Sequence, residues 1–230
     1  MNVIETHNIH KTYEGAVPVH AVNGVSLHIQ EGEFTAVVGP SGSGKTTLLN
    51  MIGGLDTPTA GEIFVGGENI TNLSNNQLID FRLHHIGFVF QAYNLIPVLT
   101  AKENVAFVML LQNQPKAQRE QRAIELLEEV GLGDQINRRP GQMSGGQQQR
   151  VAVARALASH PRFVLADEPT ANLDSASTNQ LLDIMVELNQ RENMTFVFST
   201  HDQRVIDRAR RVITIDDGVI VKDETKTVHA

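Results

Sequence analysis

Short apolar, β-branched runs alternate along the chain with longer stretches whose apolar residues recur at helical spacing. That is the pattern of a parallel sheet joined by crossover helices. The runs predict strands at Val22–Ile29, Phe34–Val38, Gly87–Phe90, Phe163–Ala166, Thr195–Ser199 and Val212–Asp216. Phe34-Thr-Ala-Val-Val38, Phe163-Val-Leu-Ala166 and Phe196-Val-Phe198 are free of charge, as strands covered on both faces are. Between Thr71 and Gly141 the texture turns helical and polar. There, Thr100-Ala-Lys-Glu103 is a capping box that opens a helix through Leu111. Pro115 suits the first turn of the next helix, which places Ala123, Leu126, Leu127 and Val130 on one face. Gly131 stands where a left-handed C-cap belongs. The stretch predicts a helical subdomain, approximately 91–159, inserted into one α/β domain whose core is 1–90 and 160–230. After Val219 a short polar tail is expected to fray.

Composition narrows the classes. At 230 residues, 41% of them hydrophobic, the chain can bury a core without staples. The formal charge of −7 counts against a sequence-independent nucleic-acid binder, which wears a basic surface. The absence of Cys excludes a disulfide scaffold, a thiolate metal site and a Cys nucleophile. Met1 to His10 lacks the apolar core of a secretory signal. The longest apolar run, Val105 to Leu111, falls far short of the ~18 residues of a membrane span. The chain is therefore expected to be soluble, with a membrane partner still open to it.

The run Phe34–Val38 leads into Gly39-Pro40-Ser41-Gly42-Ser43-Gly44-Lys45-Thr46-Thr47, then Leu48-Leu49. This is G-x-x-x-x-G-K-T between a buried strand and a helix start, the setting in which the motif binds triphosphate. Glycines let the backbone N–H groups of Ser41 to Thr46 close around phosphate oxygens, and the helix N-terminus adds its positive end. Lys45 supplies the point charge for the β- and γ-phosphates, and the Thr46 hydroxyl is a Mg²⁺ ligand.

A second apolar strand ends in Asp167-Glu168-Pro169. Neighbouring strand residues point to opposite faces, so these carboxylates take separate roles. Asp167 is expected on the Mg²⁺ side, usually through water, and Glu168 as the general base for the attacking water. Earlier in the chain, Met143-Ser144-Gly145-Gly146-Gln147 opens an Ala-rich helix, Gln147 to Ala158, stopped by His160-Pro161. Ser-Gly-Gly at a helix start is a second anion-binding arrangement.

With these motifs in order from Tyr13 to His201, nearly the whole chain resembles the ATPase subunit of ABC transporters. Met143-Ser-Gly-Gly-Gln147 matches the family signature L-S-G-G-Q except for Met143, a volume-conserving change. The resemblance implies a phosphate-loop α/β core with a mainly parallel sheet, N-terminal antiparallel strands and an inserted helical subdomain. It also implies roles for single residues. Tyr13 would stack on adenine; Gln91 would join the Mg²⁺ shell and move with the helical subdomain. Asp174 would support a dimer interface, or cap the helix at Ser175, or both. His201 would contact the γ-phosphate. The other His residues are expected on the surface or in packing, with no metal at His84-His85.

The cofactors implied are ATP and Mg²⁺. The partners implied are a second copy, head to tail with two ATP molecules between, and a separate integral membrane permease. Each ATP would sit on Lys45 and Thr46 of one copy, under Ser144, Gly145 and Gly146 of the other. Such a subunit works peripherally on the cytoplasmic face of the bacterial inner membrane. Ala92-Tyr-Asn-Leu-Ile-Pro97-Val-Leu-Thr100 is either a docking groove for a permease helix or a loop packed onto the helical subdomain. Asn50 to Glu62 and Phe90 to Pro97 look most like the lipoprotein-releasing and macrolide-exporting branch. A cassette that signals to envelope enzymes through a membrane partner would share the same chemistry. Non-transport ABC ATPases resemble coiled-coil or double-cassette chains, and this chain has neither heptads nor a second cassette. The basic cluster Arg208-Ala-Arg-Arg211 lacks aromatics and is expected to be a solvated helix end. A small-molecule kinase would leave Ser144–Gln147 and His201 unexplained.

Overall fold

A computed structural model describes residues 1–226. In chain order it contains β1 (Asn2–Tyr13), β2 (Val19–Gln30), β3 (Phe34–Val38), α1 (Lys45–Ile52), β4 (Ala60–Val65) and β5 (Glu68–Asn69). Then come α2 (Asn75–His85), β6 (Ile86–Phe90), α3 (Ala101–Leu111), α4 (Lys116–Glu129) and α5 (Gly145–Leu157). The last third holds β7 (Phe163–Asp167), α6 (Ser175–Glu192), β8 (Thr195–Ser199), α7 (Gln203–Arg208), β9 (Arg211–Asp216) and β10 (Val219–Thr225).

Two sheets result. A four-stranded antiparallel sheet runs β2-β1-β4-β5, and a six-stranded sheet runs β10-β9-β3-β8-β7-β6. In the second, β9, β3, β8, β7 and β6 are all parallel and β10 closes the edge antiparallel. Successive side chains of a strand alternate between faces, and here each face meets its own core. Phe34, Ala36, Val164, Ala166, Phe196 and Phe198 pack into one layer with α3 to α6. Val37, Phe163, Leu165 and Val197 pack into the other with α1 and the antiparallel sheet. The alternation continues past the core. Asp167 shares a face with Phe163 and Leu165, the α1 side, so it meets the start of α1.

The helical stretch follows its signals. Thr100 and Glu103 form the capping box, with Thr100 N–H donating to Glu103 Oε2 at 2.8 Å and Glu103 N–H to Thr100 Oγ1 at 3.2 Å. Ala123, Leu126, Leu127 and Val130 are fully buried. Gly131 is left-handed at φ 69° with open space around its Cα, so backbone conformation alone calls for glycine there.

Two expectations are corrected. The segment after Val219 does not fray as far as Thr225: it is β10, laddered on β9 and fastened by Arg211 to Asp223 at 2.8 and 2.7 Å. Residues 227–230 of that tail lie outside the described residues. The basic cluster is not a solvated helix end either. Arg208 donates to Asp183, Arg210 to the Gly32 carbonyl and Arg211 to Glu33 and Asp223, so the three guanidinium groups pin separate elements together.

Candidate nucleotide site

The C-terminal edge of the parallel sheet opens into a cavity of about 750 Å³ lined by the phosphate loop, Tyr13, Gln91, Glu168 and His201. Crevices outside the carboxyl ends of parallel strands are where α/β sheets bind ligands. The loop leaves β3, and α1 begins at Lys45 behind Gly44, whose φ of 100° no side chain tolerates. A Cβ on Gly44 would also run into the Ala21 carbonyl. No side chain caps α1, so its first N–H groups face the cavity without an internal acceptor. Gly42 has nothing within 4 Å of a would-be Cβ, which leaves room for an oxyanion against the backbone. Ser43 Oγ is buried without a partner. Lys45, largely buried, donates to the Gly39 and Pro40 carbonyls at 2.9 and 2.8 Å. The cradle fits a triphosphate.

Thr46 Oγ1 donates to Asp167 Oδ1 at 3.0 Å, joining α1 to the end of β7. Hydroxyl and carboxylate oxygens side by side, with Gln91 lining the same cavity as Thr46, are a hard donor set of the kind Mg²⁺ takes. Glu168 follows at φ 46°, a left-handed conformation unusual for a residue with a side chain. Such strain costs ~1–3 kcal/mol and gathers at functional sites. It is held by Glu168 N–H donating to the Ser199 carbonyl at 2.8 Å. His201 Nδ1 donates to Glu168 Oε1 at 2.8 Å, and Thr200 Oγ1 reaches Oε2 at 3.4 Å. Beside them Asp202 accepts from the Arg204 backbone N–H, from its guanidinium on both carboxylate oxygens, and from the Thr170 hydroxyl. The Arg204 guanidinium foremost, against the opposing effect of burial, depresses its carboxyl to about 2.

The signature stands elsewhere. Ser144 N-caps α5, with Gln147 N–H donating to Ser144 Oγ at 3.3 Å and Ser144 N–H to Gln147 Oε1 at 2.9 Å. Ser144, Gly145 and Gly146 are not among the cavity's lining residues. Asp174 caps α6 through Ser177 N–H at 2.9 Å and its hydroxyl at 2.7 Å, bonds that hold the carboxyl below its usual value.

Sequence reasoning missed a residue at the centre of this arrangement. Gln149, fully buried on α5, donates to the Phe90 carbonyl at 3.2 Å and the Pro169 carbonyl at 2.8 Å. These carbonyls flank Gln91 and Glu168. Arg155, on the same helix, donates to the Tyr93 carbonyl at 2.9 Å and to that of Asn94, and Asn172 to that of Gln91 at 3.1 Å. A Gln within an Ala-rich helix carries no local signal of such contacts.

Within the segment 92–100, Leu95 packs against the core while Ala92, Asn94, Pro97 and Val98 stay exposed. Buried Asn104 binds Ile96 on both its N–H (2.7 Å) and its carbonyl (3.1 Å), and also the Leu99 carbonyl at 3.2 Å. The apolar groove lies beside it, about 470 Å³ in volume, between α2, β6, α3 and α5. Leu55, Ile79, Phe88, Phe90, Val108 and Leu111 line it.

A parallel sheet with a phosphate loop at its carboxyl edge, an acidic pair after a neighbouring strand and a histidine on the glutamate define a nucleoside triphosphatase of the phosphate-loop class. Comparison with known proteins sharpens the class. The family model for ABC transporters matches residues 22–171. An ABC transporter ATP-binding protein of Thermotoga maritima is 46% identical, covering 98% of this chain and 97% of its own length. The lipoprotein-releasing system ATP-binding protein LolD of Legionella pneumophila is 42% identical over 96% of this chain and 98% of its own. The macrolide export ATP-binding/permease protein MacB of Aggregatibacter actinomycetemcomitans is 45% identical over 98% of this chain, which spans only 35% of MacB. The dimeric MJ0796 ATP-binding cassette with ADP and Pi superposes at a TM-score of 0.89, with 42% identity, covering 96% of this chain and 98% of that one.

The chain belongs to the ABC transporter ATP-binding family. It is an ATPase component of such transporters, in the branch that contains LolD and MacB, and its substrate and metal are ATP and Mg²⁺. Among the described residues, no helix is long and apolar enough to cross a membrane.

Proposed function

We propose that two copies of this chain close head to tail on two ATP molecules and open again on hydrolysis, driving a separate membrane permease. The observation that carries the reading is the separation of the two half sites. Lys45, Thr46, Glu168 and His201 line one cavity, and Ser144, Gly145 and Gly146 lie outside its walls. A second copy supplies the missing half. Ser144 Oγ accepts from Gln147 N–H and keeps its own proton to donate, so a neighbour's γ-phosphate can be bound without undoing the cap. The dimeric MJ0796 cassette, of the same fold, supports this geometry.

Within the site, the backbone of Gly39 to Thr47 holds the phosphates, Lys45 turns from its carbonyls to the β- and γ-oxygens, and Tyr13 lies under the base. Thr46, Asp167 and Gln91 would hold Mg²⁺, directly or through water, and the metal would neutralise charge on the triphosphate. Glu168 takes the proton of the attacking water, and His201, bonded to Glu168, faces the γ-phosphate with its other ring nitrogen. Asp174 orders the α6 start where the two copies meet. Residues 91–159 form the moving unit, tied to the site through Gln149 and Arg155. The groove of Leu55, Ile79, Phe88 and Leu111, rather than the loop 92–100 itself, receives the permease helix. The resemblance to LolD and MacB favours lipoprotein release or export, at the cytoplasmic face of the bacterial inner membrane.

Mixed dimers test the in-trans half. Ser144→Arg in one copy blocks the site completed by that copy and leaves the other intact, so affinity labelling of the two sites differs. Equal behaviour at both sites would mean that Ser144 acts within its own chain.

A further inference from the structure

Tyr13 ends β1 with 42% of its surface exposed. An aromatic that free ordinarily samples several rotamers. Its surroundings prevent this. The Tyr13 hydroxyl donates to Asp56 Oδ2 at 2.7 Å. The Lys11 ammonium donates to Asp56 Oδ1 at 2.5 Å and to the Thr57 carbonyl at 2.8 Å. It also stands 5.0 Å from the Tyr13 ring centroid. Thr57 N–H donates to the same Asp56 Oδ1 at 2.7 Å. Burial works to raise the Asp56 carboxyl, but Lys11, the Tyr13 hydroxyl and Thr57 N–H outweigh it and hold it below the usual range. Burial first, then the bond to Asp56, pushes the Tyr13 phenol up, so it keeps the proton it donates. Asp56 lies in the turn that leaves α1, whose first residue is Lys45. The same helix therefore carries the phosphate lysine at one end and leads to the anchor of the aromatic ring at the other.

We propose that Asp56 and Lys11 are positioning residues that preset the Tyr13 ring as a platform for the purine base. The proposal rests on the reading of Tyr13 as the base-stacking residue and says what makes that residue effective. A ring immobilised before binding spares the complex the cost of ordering it. Lys11 covers one face and leaves the opposite face for the base, and a cation on one face makes the other a better partner for an electron-rich purine. With its hydroxyl given to Asp56, the tyrosine offers the base stacking and no hydrogen bond. The clamp thus raises affinity for base-bearing nucleotides without choosing among purines.

Calorimetric titration of the full chain with ATP and, separately, with inorganic tripolyphosphate isolates the base contribution. Asp56→Ala and Lys11→Met weaken ATP binding ~3- to 10-fold, the scale of a freed aromatic rotamer. Both leave tripolyphosphate affinity unchanged. Asp56→Asn, which keeps an acceptor for the hydroxyl, recovers most of the loss. Tyr13→Phe combined with Asp56→Ala binds ATP no more weakly than Asp56→Ala alone, because the two changes remove one interaction. Wild-type ATP affinity in Asp56→Ala, where Tyr13→Ala binds weakly, overturns the clamp and leaves the base-stacking reading standing. Equal weakening for ATP and tripolyphosphate also overturns it, since Asp56 would then support the phosphate loop. Wild-type affinity in Tyr13→Ala removes the ring from nucleotide binding and the clamp with it.

Discussion

Two helices of this protein begin at glycine-rich turns, and they begin differently. The start of α1 has no side-chain cap, a largely buried Lys45 and a cavity around it built by its own chain. The start of α5 is closed by Ser144 and Gln147 in a capping box and stands outside that cavity. An uncapped start leaves its N–H groups for a ligand from the outset. A capped start is stable alone and offers a ligand what the cap does not use, the Ser144 proton and the glycine backbone. In the proposed reading, one start is a binding site in a single copy, and the other becomes one only when a second copy brings the nucleotide to it. Gln149 ties α5 to the segments that carry Gln91 and Glu168, since it holds the carbonyls next to them.

Substitutions at the two starts should separate binding from turnover. The largest effect is expected at the chemical step between them: Glu168→Gln lowers kcat ~100- to 10,000-fold, the range of a lost general base, and an unchanged steady-state rate would take Glu168 out of that role. At α1, Lys45→Ala removes a charged donor from two phosphates and weakens ATP binding ~10- to 100-fold, read by titration of the single copy. At α5, Ser144→Ala leaves that affinity as it is and lowers turnover ~10-fold, the cost of one hydrogen bond to a charged group. If Ser144→Ala instead weakened binding to the single copy, the contrast between the two starts would be wrong.

The smallest effect concerns the frame around the site. Asp202 caps α7 and its carboxyl is depressed to about 2, so the folded chain keeps the charge where the unfolded chain begins to take up a proton. Its contribution is complete above ~4 and is lost as the pH falls toward 2. Asp202→Ala should lower the Tm by ~2–4 °C at neutral pH, the value of a helix cap in a chain of this size. The gap from wild type should narrow from pH 4 downward. A gap independent of pH would assign the loss to packing.

The parts of this molecule written in local pattern are legible in the sequence. β3, β8 and β7 as far as Ala166 are uncharged runs because helices or strands cover both their faces, and the phosphate loop, Asp167-Glu168 and Ser144–Gln147 each carry their spacing in a few consecutive residues. Other elements left no such trace. β1 mixes His7, Asn8 and His10 with its buried Ile4 and Ile9, and register shifts interrupt its ladder, so no clean alternation marks it. β10 is exposed along nearly its whole length and is held by β9 and the Arg211–Asp223 pair, which only the fold brings together. The apolar content of 92–100 was visible, but the Asn104 bonds that fasten its middle were not, because they join side chain to backbone across a loop. Asp56 and Gln149 escaped for the same reason: their partners are distant in the chain.

The direct test is the mass of Glu168→Gln in solution, by light scattering with and without Mg²⁺ and ATP. If the nucleotide joins the α1 half site of one copy to the α5 half site of another, blocked hydrolysis accumulates a species of twice the mass that needs ATP and disappears when Ser144→Arg is added. A protein that binds ATP fully and keeps the mass of one copy at every concentration would contradict the account.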